Sequence, residues 1–322
     1  AMGRHDDVHY LEMKNDSEKL HHHRWGSNNS FNAVVGMDYT WHAEQSQKNG
    51  EPGYIWLNNA RTRGRFKDGE RLDDVNVAGF NPCVEQQLED AELCCLVETF
   101  PAKHEDLEDY LKTLKIAYLY GKTITLSNTH WPETNAKMLK NRRIGLSQSG
   151  VVQAFNKHGR RELYNWCDNA YEYIQKLDEH YSNWLCIPKS IRTTSIKPSG
   201  TVSLLNGSTP GIHFPEDEYY IRRIRFSKDS PLVEPLVEAG YKTEDDVYSP
   251  NTVCVEFPVH EPYFVKGKRD VSMWEQLEIA SQYQHYWADN SVSITVTFKP
   301  DEAPQIKDAL EMYESRLKAV SF

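Results

Sequence analysis

Apolar residues in the first part of the chain alternate between the spacing of a strand and the spacing of a helix. Residues 31–35 form a short apolar run that predicts a strand, and residues 39–48 predict a helix that Asn49 and Gly50 would end. Residues 54–57 form a second apolar run that predicts another strand. This alternation is typical of an α/β fold.

The same patterns continue to the end of the chain. The spacing of Leu163, Trp166 and the apolar residues after them predicts a long helix up to Tyr181, with Cys167 on its apolar face. The other predicted strands cover residues 122–126, 191–196, 219–226, 252–257 and 292–298. The other predicted helices cover residues 5–20, 104–121, 272–288 and 306–317, with a further helix that ends near Phe155 and that Ser147 or Ser149 could cap. Because no repeat or linker interrupts these elements, we expect one continuous α/β domain over 1–322.

Composition narrows the range of partners. The 322 residues carry a formal net charge of −10, which argues against general nucleic-acid binding and requires a local positive site for any anionic ligand. Six cysteines without regular spacing, and no signal peptide, indicate a reducing compartment. No apolar run approaches the roughly 18 residues that span a bilayer. We therefore expect a cytoplasmic protein that binds no membrane.

The segment 81–98 carries the most distinctive chemistry. Pro82 disfavours helix at Asn81, so Cys83 is expected on an exposed loop. The nearby carboxylate of Glu85 disfavours a thiolate, whereas a protonated thiol can give up a hydrogen atom. Cys94, or its neighbour Cys95, could supply electrons by forming a disulfide with another cysteine. Thiol radical or redox chemistry fits this segment better than acyl transfer.

A second candidate site is the sequence Lys-Pro-Ser-Gly-Thr at residues 197–201, which follows a predicted strand. Backbone N–H groups at such a turn, together with a helix dipole, can hold a phosphate. The motif lacks the Gly-Lys-Ser/Thr ending of a Walker A loop. A plain turn made by Pro198 and Gly200 is the alternative interpretation.

Two clusters of basic residues are interpreted as parts of the structure and not as ligand-binding sites. The consecutive histidines 21–23 point in different directions and cannot all ligate one ion, so we expect no metal site. Arg222, Arg223 and Arg225 alternate along a predicted strand and cannot share one phosphate, which favours structural ion pairs.

The pattern Asn-x-Cys-x-Glu at residues 81–85 resembles the active-site loop of ribonucleotide reductases. The interval of eleven residues between Cys83 and Cys94 is most similar to the adenosylcobalamin-dependent class II enzymes. The resemblance covers most of the chain, through RWGSNNS (24–30), NGEPGYIWLNNAR (49–61), NRRIGLSQSG (141–150), KPSGTVSLLNGSTPGIH (197–213), YYIRRIRF (219–226) and YWADNSVSITVTF (286–298).

The resemblance implies a fold. It is part of a ten-stranded α/β barrel of the type shared by ribonucleotide reductases and glycyl radical enzymes, with the cysteine loop as a finger at its centre. Residues 1–322 would then be an incomplete catalytic barrel domain without the early half-barrel and the C-terminal cysteine tail. Because a half-barrel leaves strand edges and apolar faces uncovered, we expect activity to require an N-terminal companion.

The resemblance also implies a mechanism. Adenosylcobalamin would provide a radical that takes a hydrogen atom from Cys83, and the thiyl radical would remove the ribose 3′ hydrogen of a ribonucleoside triphosphate. Glu85 would be the general base for the 3′ hydroxyl, and Asn81 would hydrogen-bond the ribose. Cys94 and a cysteine outside these residues would supply two electrons, and Cys95 is the competing redox thiol.

Further partners follow from the same resemblance. The substrate phosphates would be held by Ser199, Gly200, Thr201 and Ser203. A dNTP effector would bind mainly to regions outside the chain, and a thioredoxin-type reductant would restore the thiols.

Three other functions are open from the sequence. A class I ribonucleoside-diphosphate reductase large subunit would use a radical from a second subunit and no cobalamin. A non-catalytic fragment of a split gene would bind nucleotides or a companion only. A thiol hydrolase would need a histidine beside Cys83.

Overall fold

The computed structural model describes residues 2–20 and 26–322, so His21–His23 and the start of the RWGSNNS motif lie outside the described residues. The chain divides into two compact units, one of residues 1–214 and 271–322 and the other of residues 215–270. No feature of the sequence indicated this division. The assignment of 1–322 to one catalytic barrel domain stays a prediction.

The first unit alternates short strands with helices, as the sequence predicts. Its strands are β1 (Met2–Arg4), β2 (Ser30–Asn32), β3 (Gly53–Ile55), β4 (Gly79–Phe80), β5 (Gln87–Leu88), β6 (Leu96–Thr99), β7 (Gly145–Gln148) and β11 (Ala319–Val320). Its helices are α1 (Val8–Leu11), α2 (Ser17–Lys19), α3 (Thr40–Asn49), α4 (Leu57–Thr62), α5 (Leu107–Ile124), α6 (Pro132–Asn141), α7 (Val151–His158), α8 (Arg160–Trp184), α10 (Met273–Tyr286) and α11 (Ile306–Tyr313).

The strands of the first unit form three small groups. β1, β2, β3 and β11 form a sheet in that order, in which the β1–β2 and β2–β3 pairs are parallel and β3–β11 is antiparallel. β6 and β7 form a parallel pair. β4 and β5 form an antiparallel hairpin, and residues 81–86 between them, here called the finger loop, carry Cys83.

The helices of the first unit pack their apolar stripes into one core. The spacing that predicts α8 from the sequence places Leu163, Cys167 and Ile174 at 0% exposure on one face of that helix. Trp56 and Trp287, at 1% and 0% exposure, belong to the same core. α5 and α10 begin with side-chain caps, in which Asp106 accepts from the N–H of Asp109 and Ser272 accepts from the N–H of Glu275.

The second unit contains a three-stranded sheet in the order β8–β10–β9, with β8 at Tyr219–Ser227, β9 at Thr243–Asp245 and β10 at Thr252–His260, together with the helix α9 at Val233–Glu238. The arginines of β8 are in structural contacts: Nε of Arg225 lies 3.0 Å from Asp246, Arg223 pairs with Glu244, and Arg222 donates to the Tyr220 hydroxyl at 2.7 Å. This confirms the prediction of ion pairs for Arg223 and Arg225.

Strand β10 corrects one predicted boundary, because it continues through Pro258, where the sequence predicts an end. Pro258 pairs with Ile221 of β8, while β9 pairs only with residues 253–255 of β10. At Pro258 the strand therefore has one neighbour, and the missing N–H can face the open side.

Five further predictions are corrected in the first unit. Residues 122–124 belong to α5 and not to a strand, because Lys122 is buried and its ammonium lies 2.8 Å from Asp178 of α8. Residues 5–20 form two short helices instead of one. Residues 191–196 and 292–298 contribute isolated bridges such as Ile196 with Val292, and not regular strands.

The fifth correction concerns the start of α7, which begins after Gly150 without a side-chain cap, so neither Ser147 nor Ser149 caps it. Within the described ranges, no helix is both long and apolar enough to cross a bilayer.

Candidate active site

The finger loop is closed by hydrogen bonds to Asn81. The N–H of Asn81 donates to the carbonyl of Gln86 at 3.0 Å, and its side-chain Oδ1 accepts from the N–H of Gln86 at 2.9 Å. The N–H of Val84 donates to the Asn81 carbonyl at 2.9 Å, and Val84 has a left-handed φ of 67°. These contacts turn the chain sharply and present Cys83 at the tip, which is exposed as the sequence predicts.

Glu85 is buried under this tip, with 3% of its surface exposed. Its backbone carbonyl accepts from the Ser195 hydroxyl at 2.7 Å and from the N–H of Ser291 at 3.1 Å. Its Oε2 atom has no hydrogen-bond partner among the described residues. Burial raises the pKa of the Glu85 carboxyl, and the hydrogen bond from Asn81 opposes that shift. A buried carboxyl with a free oxygen is suited to accept a proton from a ligand.

The thiol of Cys83 is kept in its protonated form. Partial burial raises its pKa, and the negative charge of Glu85 raises it further. The thiol lines a cavity of about 330 Å³, which is also lined by Pro82, Val84 and Pro198. A protonated thiol facing a cavity is suited to donate a hydrogen atom and poorly suited to nucleophilic attack.

The two adjacent cysteines, Cys94 and Cys95, lie in different surroundings. Cys94 is exposed, and both burial and the charge of Glu85 raise the pKa of its thiol. Cys95 is 5% exposed and donates its thiol to the carbonyl of Gly121 at 3.5 Å, and burial raises its pKa to about 11. Cys94 therefore shares the surroundings of Cys83 and Glu85, whereas Cys95 is part of the core.

The residues of the predicted phosphate loop form a turn, here called the glycine turn (residues 197–201). Ser199 has a left-handed φ of 47°, and its Oγ is buried without a hydrogen-bond partner among the described residues. Gly200 and Thr201 are exposed, and Ser203 is buried and donates to the carbonyl of Ser199 at 2.5 Å. The helix after the turn is a single 3₁₀ turn, Ser203–Asn206, so its dipole is weak. Of these residues, Pro198 lines the cavity beside Cys83.

The end of the same motif has a structural explanation that the sequence could not supply. A Cβ atom on Gly211 would lie 2.3 Å from the carbonyl oxygen of Lys197, so only glycine allows this close approach of two chain segments. His213 hydrogen-bonds the carbonyl of Pro210 at 3.1 Å and accepts from the N–H of Thr295 at 3.2 Å. Burial lowers the pKa of His213, which favours the neutral imidazole. The neutral ring stabilises the turn through these two hydrogen bonds.

Sequence reasoning missed two charged residues of the site. Glu98 of β6 is almost fully buried and accepts from the hydroxyls of Ser147 at 3.1 Å and Ser149 at 2.7 Å. Its Oε2 lies 3.4 Å from the ammonium of Lys197. Lys197 could have been found from the sequence, because it is the first residue of the Lys-Pro-Ser-Gly-Thr motif. Its pairing with Glu98 could not be predicted, because positions 98 and 197 are far apart in the sequence.

A buried ionic network supports the chain between Cys83 and Cys94. Arg143, with no exposed surface, donates to both carboxylate oxygens of Asp74 at 2.8 Å and to Glu92 at 3.0 Å. Asn141 donates to Glu92 at 3.1 Å and to Glu89 at 3.1 Å. Glu89 and Glu92 are thereby fixed on the segment that leads from the finger loop to Cys94.

No family model matches the chain. The chain is 51% identical over 329 residues to a probable adenosylcobalamin-dependent ribonucleoside-triphosphate reductase of Dictyostelium discoideum, covering all of this chain and 43% of that protein. It is 48% identical over 326 residues to the adenosylcobalamin-dependent ribonucleoside-triphosphate reductase of Euglena gracilis, covering all of this chain and 45% of that protein. The chain thus spans less than half the length of these relatives.

Solved structures agree with the sequence comparison. The crystal structure of a B12-dependent class II ribonucleotide reductase superposes with a TM-score of 0.92 at 35% identity, covering all of this chain and 49% of that one. A class Id ribonucleotide reductase alpha subunit of Actinobacillus ureae gives a TM-score of 0.64 at 15% identity, covering 91% of this chain and 64% of that one, which shows the fold alone. The predicted resemblance to class II reductases and the predicted α/β barrel fold are both confirmed.

Proposed function

We propose that this chain, whose sequence and fold are similar throughout to class II ribonucleotide reductases, forms part of an enzyme that reduces ribonucleoside triphosphates to 2′-deoxyribonucleotides. The observation that carries the proposal is the position of Cys83. Its protonated thiol faces a cavity, has the Glu85 carboxyl and the Cys94 thiol as electrostatic neighbours, and shares that cavity with Pro198 of the glycine turn.

The proposed cofactor is adenosylcobalamin, which the names of the relatives include. The residues of this chain fit it at the reacting end, because Cys83 is exposed and its pKa is raised by burial, Glu85 and Cys94. When bound, adenosylcobalamin supplies an organic radical able to accept a hydrogen atom from a thiol. Cys83 is the residue that gives this atom and becomes a thiyl radical.

The thiyl radical of Cys83 then removes the 3′ hydrogen of the ribose, which leaves a substrate radical. Glu85 takes the proton of the 3′ hydroxyl through its Oε2, which has no hydrogen-bond partner among the described residues, and returns it to the 3′ oxygen at the end of the reaction. The 2′ hydroxyl leaves as water with a proton from the thiol pair of Cys94, and the second hydrogen of that pair goes to the 2′ carbon. Asn81, whose side-chain oxygen accepts from the N–H of Gln86 beside Glu85, hydrogen-bonds the ribose.

Reduction of the substrate radical needs two electrons. Cys94 and a second cysteine, from a part of the protein outside this chain, give two electrons and two protons and form a disulfide. Cys83 returns the hydrogen atom to the 3′ carbon. A thioredoxin-type reductant, as expected in the cytoplasm, reduces the disulfide, and a dNTP effector binds mainly outside this chain.

The glycine turn is the proposed site for the substrate phosphates. Ser199 offers a buried hydroxyl without a partner among the described residues, and Gly200 and Thr201 are exposed residues whose backbone N–H groups would donate to the phosphates. Ser203 stabilises the turn through its bond to the Ser199 carbonyl. The anion is therefore held by backbone and hydroxyl groups more than by a helix dipole.

A reconstitution experiment tests the function. The full-length protein, or this chain with an N-terminal companion, is incubated with a ribonucleoside triphosphate, a dithiol and adenosylcobalamin, and the deoxyribonucleotide is quantified. We expect product that depends on the cofactor and is lost in Cys83→Ser, whereas Cys186→Ser, which changes another exposed cysteine, retains it. Turnover without adenosylcobalamin would support the class I alternative, and binding without turnover would support the non-catalytic fragment.

A further inference from the structure

Three neighbouring chain segments place charged and hydroxyl groups in one row beside the finger loop. In the parallel β6–β7 pair, Glu98 is directly opposite Ser147. The Ser147 hydroxyl donates to Glu98 at 3.1 Å and accepts from the backbone N–H of Lys197 at 2.8 Å. The ammonium of Lys197 completes the row at 3.4 Å from Glu98.

The direction of the third segment orients Lys197 toward the finger loop. Thr194 and Ile196 each form a β-bridge, and Pro198 favours an extended backbone at Lys197. Ser195 points at the finger loop, because its hydroxyl donates to the Glu85 carbonyl at 2.7 Å. Side chains two residues apart in an extended segment lie on the same side, so the Lys197 side chain faces the finger loop as well.

The charges around Glu85 are opposed in sign. Glu98 is a like charge that disfavours the ionised form of Glu85, and Lys197 is an opposite charge that favours it. The Cys83 and Cys94 thiols are the other titratable groups beside Glu85, and Lys197 acts on both of them as well. The positive charge of Lys197 therefore acts on Glu85, Cys83 and Cys94, and in each case it lowers the pKa.

We propose that Lys197 is a positioning residue of the site: Glu98 holds its ammonium on the side of the finger loop as the positive counter-charge of Glu85, and its backbone, bonded to the Ser147 hydroxyl, fixes the glycine turn beside Cys83. The inference rests on the proposed function, in which Glu85 is the base. It adds a role for the first residue of the Lys-Pro-Ser-Gly-Thr motif that is separate from the role of the turn in phosphate binding.

The test measures protonation directly and needs no turnover. In the full-length protein with ¹³C-labelled glutamate, the Glu85 carboxyl resonance is identified by its loss in Glu85→Gln and is titrated in each variant. Lys197→Met should move the Glu85 titration to higher pH by about one unit, the lower end of the range for removal of a nearby opposite charge. Glu98→Gln should move it to lower pH, because a like charge is removed and the ammonium is kept. Lys197→Arg should leave it unchanged.

A second readout follows the thiol of Cys83. Its alkylation by iodoacetamide, quantified by peptide mass spectrometry, should shift to higher pH in Lys197→Met, with exposed Cys186 as the internal reference. Lys115→Met, on the exposed side of α5, is the matched control and should change neither titration. Thermal unfolding of each variant verifies that it is folded.

The outcomes separate this inference from the proposed function. Opposite shifts in Lys197→Met and Glu98→Gln support the inference, even in a protein that makes no deoxyribonucleotide. Identical Glu85 and Cys83 titrations in Lys197→Met and the unchanged protein overturn it, even in a protein that turns over. Shifts of the same sign in both variants also overturn it, because they would indicate a general disturbance of the fold.

Discussion

The hydroxyl of Ser195 donates a 2.7 Å hydrogen bond to the backbone carbonyl of Glu85, across 110 positions of sequence. This contact fixes the backbone of Glu85 in the finger loop. It leaves the Glu85 carboxylate free to react. The N–H of Ser291 donates to the same carbonyl at 3.1 Å, so two separate segments of the first unit fix one peptide group. The position of Glu85 is thus set by residues that carry no charge.

Ser195→Ala tests this arrangement. We expect a loss of about 1 kcal/mol in the free energy of unfolding, because one buried hydrogen bond is removed and the bond from Ser291 remains. We also expect kcat to fall about tenfold, or about 1.4 kcal/mol, with the KM for the triphosphate unchanged. Urea unfolding and steady-state kinetics of the full-length protein measure the two effects.

The control is Ser281→Ala, since Ser281 is also buried and its hydroxyl donates to the backbone carbonyl of Glu278 at 3.0 Å and accepts from the Arg316 guanidinium at 3.0 Å. It should reduce stability by at least as much as Ser195→Ala and leave kcat unchanged. Equal losses of kcat in both variants would contradict a specific role for Ser195.

The two adjacent cysteines should differ in function. Cys94→Ser is expected to abolish formation of deoxyribonucleotide in a single turnover without added dithiol, because Cys94 is the exposed thiol beside Cys83 and Glu85. Cys95→Ser should retain most of the product, because Cys95 is buried and bonded to the Gly121 carbonyl. Rapid-quench measurement of the deoxyribonucleotide formed by each variant identifies the redox thiol. Product that is retained in Cys94→Ser and lost in Cys95→Ser would assign electron transfer to Cys95.

Glu85→Gln should leave triphosphate binding intact and reduce turnover by about 10² to 10⁴, the usual contribution of a general base. In the unchanged protein, the rate should fall on the acid side as Glu85 becomes protonated. Burial raises the pKa of Glu85, so this fall is expected at a pH above the ordinary value of 4.5. A pH–rate profile measures it, with Glu105→Gln on the exposed surface as control. An acid limb that persists unchanged in Glu85→Gln would contradict the assignment.

Sequence patterns correctly predicted the elements that depend only on residues close together in the chain. Helix α8 follows from apolar residues at helical intervals, and the exposed position of Cys83 follows from Pro82 and the turn it imposes. The end of α5 could not be predicted in this way, because burial of Lys122 depends on Asp178, 56 positions away. Local patterns carry no information on such distant partners.

In the candidate site too, residues that are close in sequence were predicted, and a pair that is distant in sequence was not. The motif of the finger loop identified Asn81, Cys83 and Glu85, and the structure places them in one hairpin. Lys197 and Glu98 were missed because their pairing depends on the register of β6 against β7 and on the extended segment beside it. Residues 292–298 alternate like a strand yet form only isolated bridges, because alternation reports burial on one side and not the presence of a pairing partner.

The buried pair of Asp74 and Arg143 should make stability depend on pH. Burial alone would raise the pKa of Asp74, but the hydrogen bonds and the charge of Arg143 outweigh burial and lower it below its ordinary value of 3.8. A carboxyl with a lowered pKa in the folded state contributes stability that is fully present above its unfolded pKa and is lost as the pH falls through the folded pKa.

Asp74→Asn is therefore expected to reduce the free energy of unfolding by about 3 to 5 kcal/mol at pH 7, because it leaves the buried guanidinium of Arg143 with Glu92 as its remaining carboxylate. The difference from the unchanged protein should narrow as the pH falls below about 4, where Asp74 of the unfolded chain is protonated. Urea unfolding at pH values from 7 to 3 measures it, and Asp308→Asn on the exposed face of α11 should show no such dependence. A difference that stays constant over this range would mean that the charge of Asp74 does not stabilise the segment leading to Cys94.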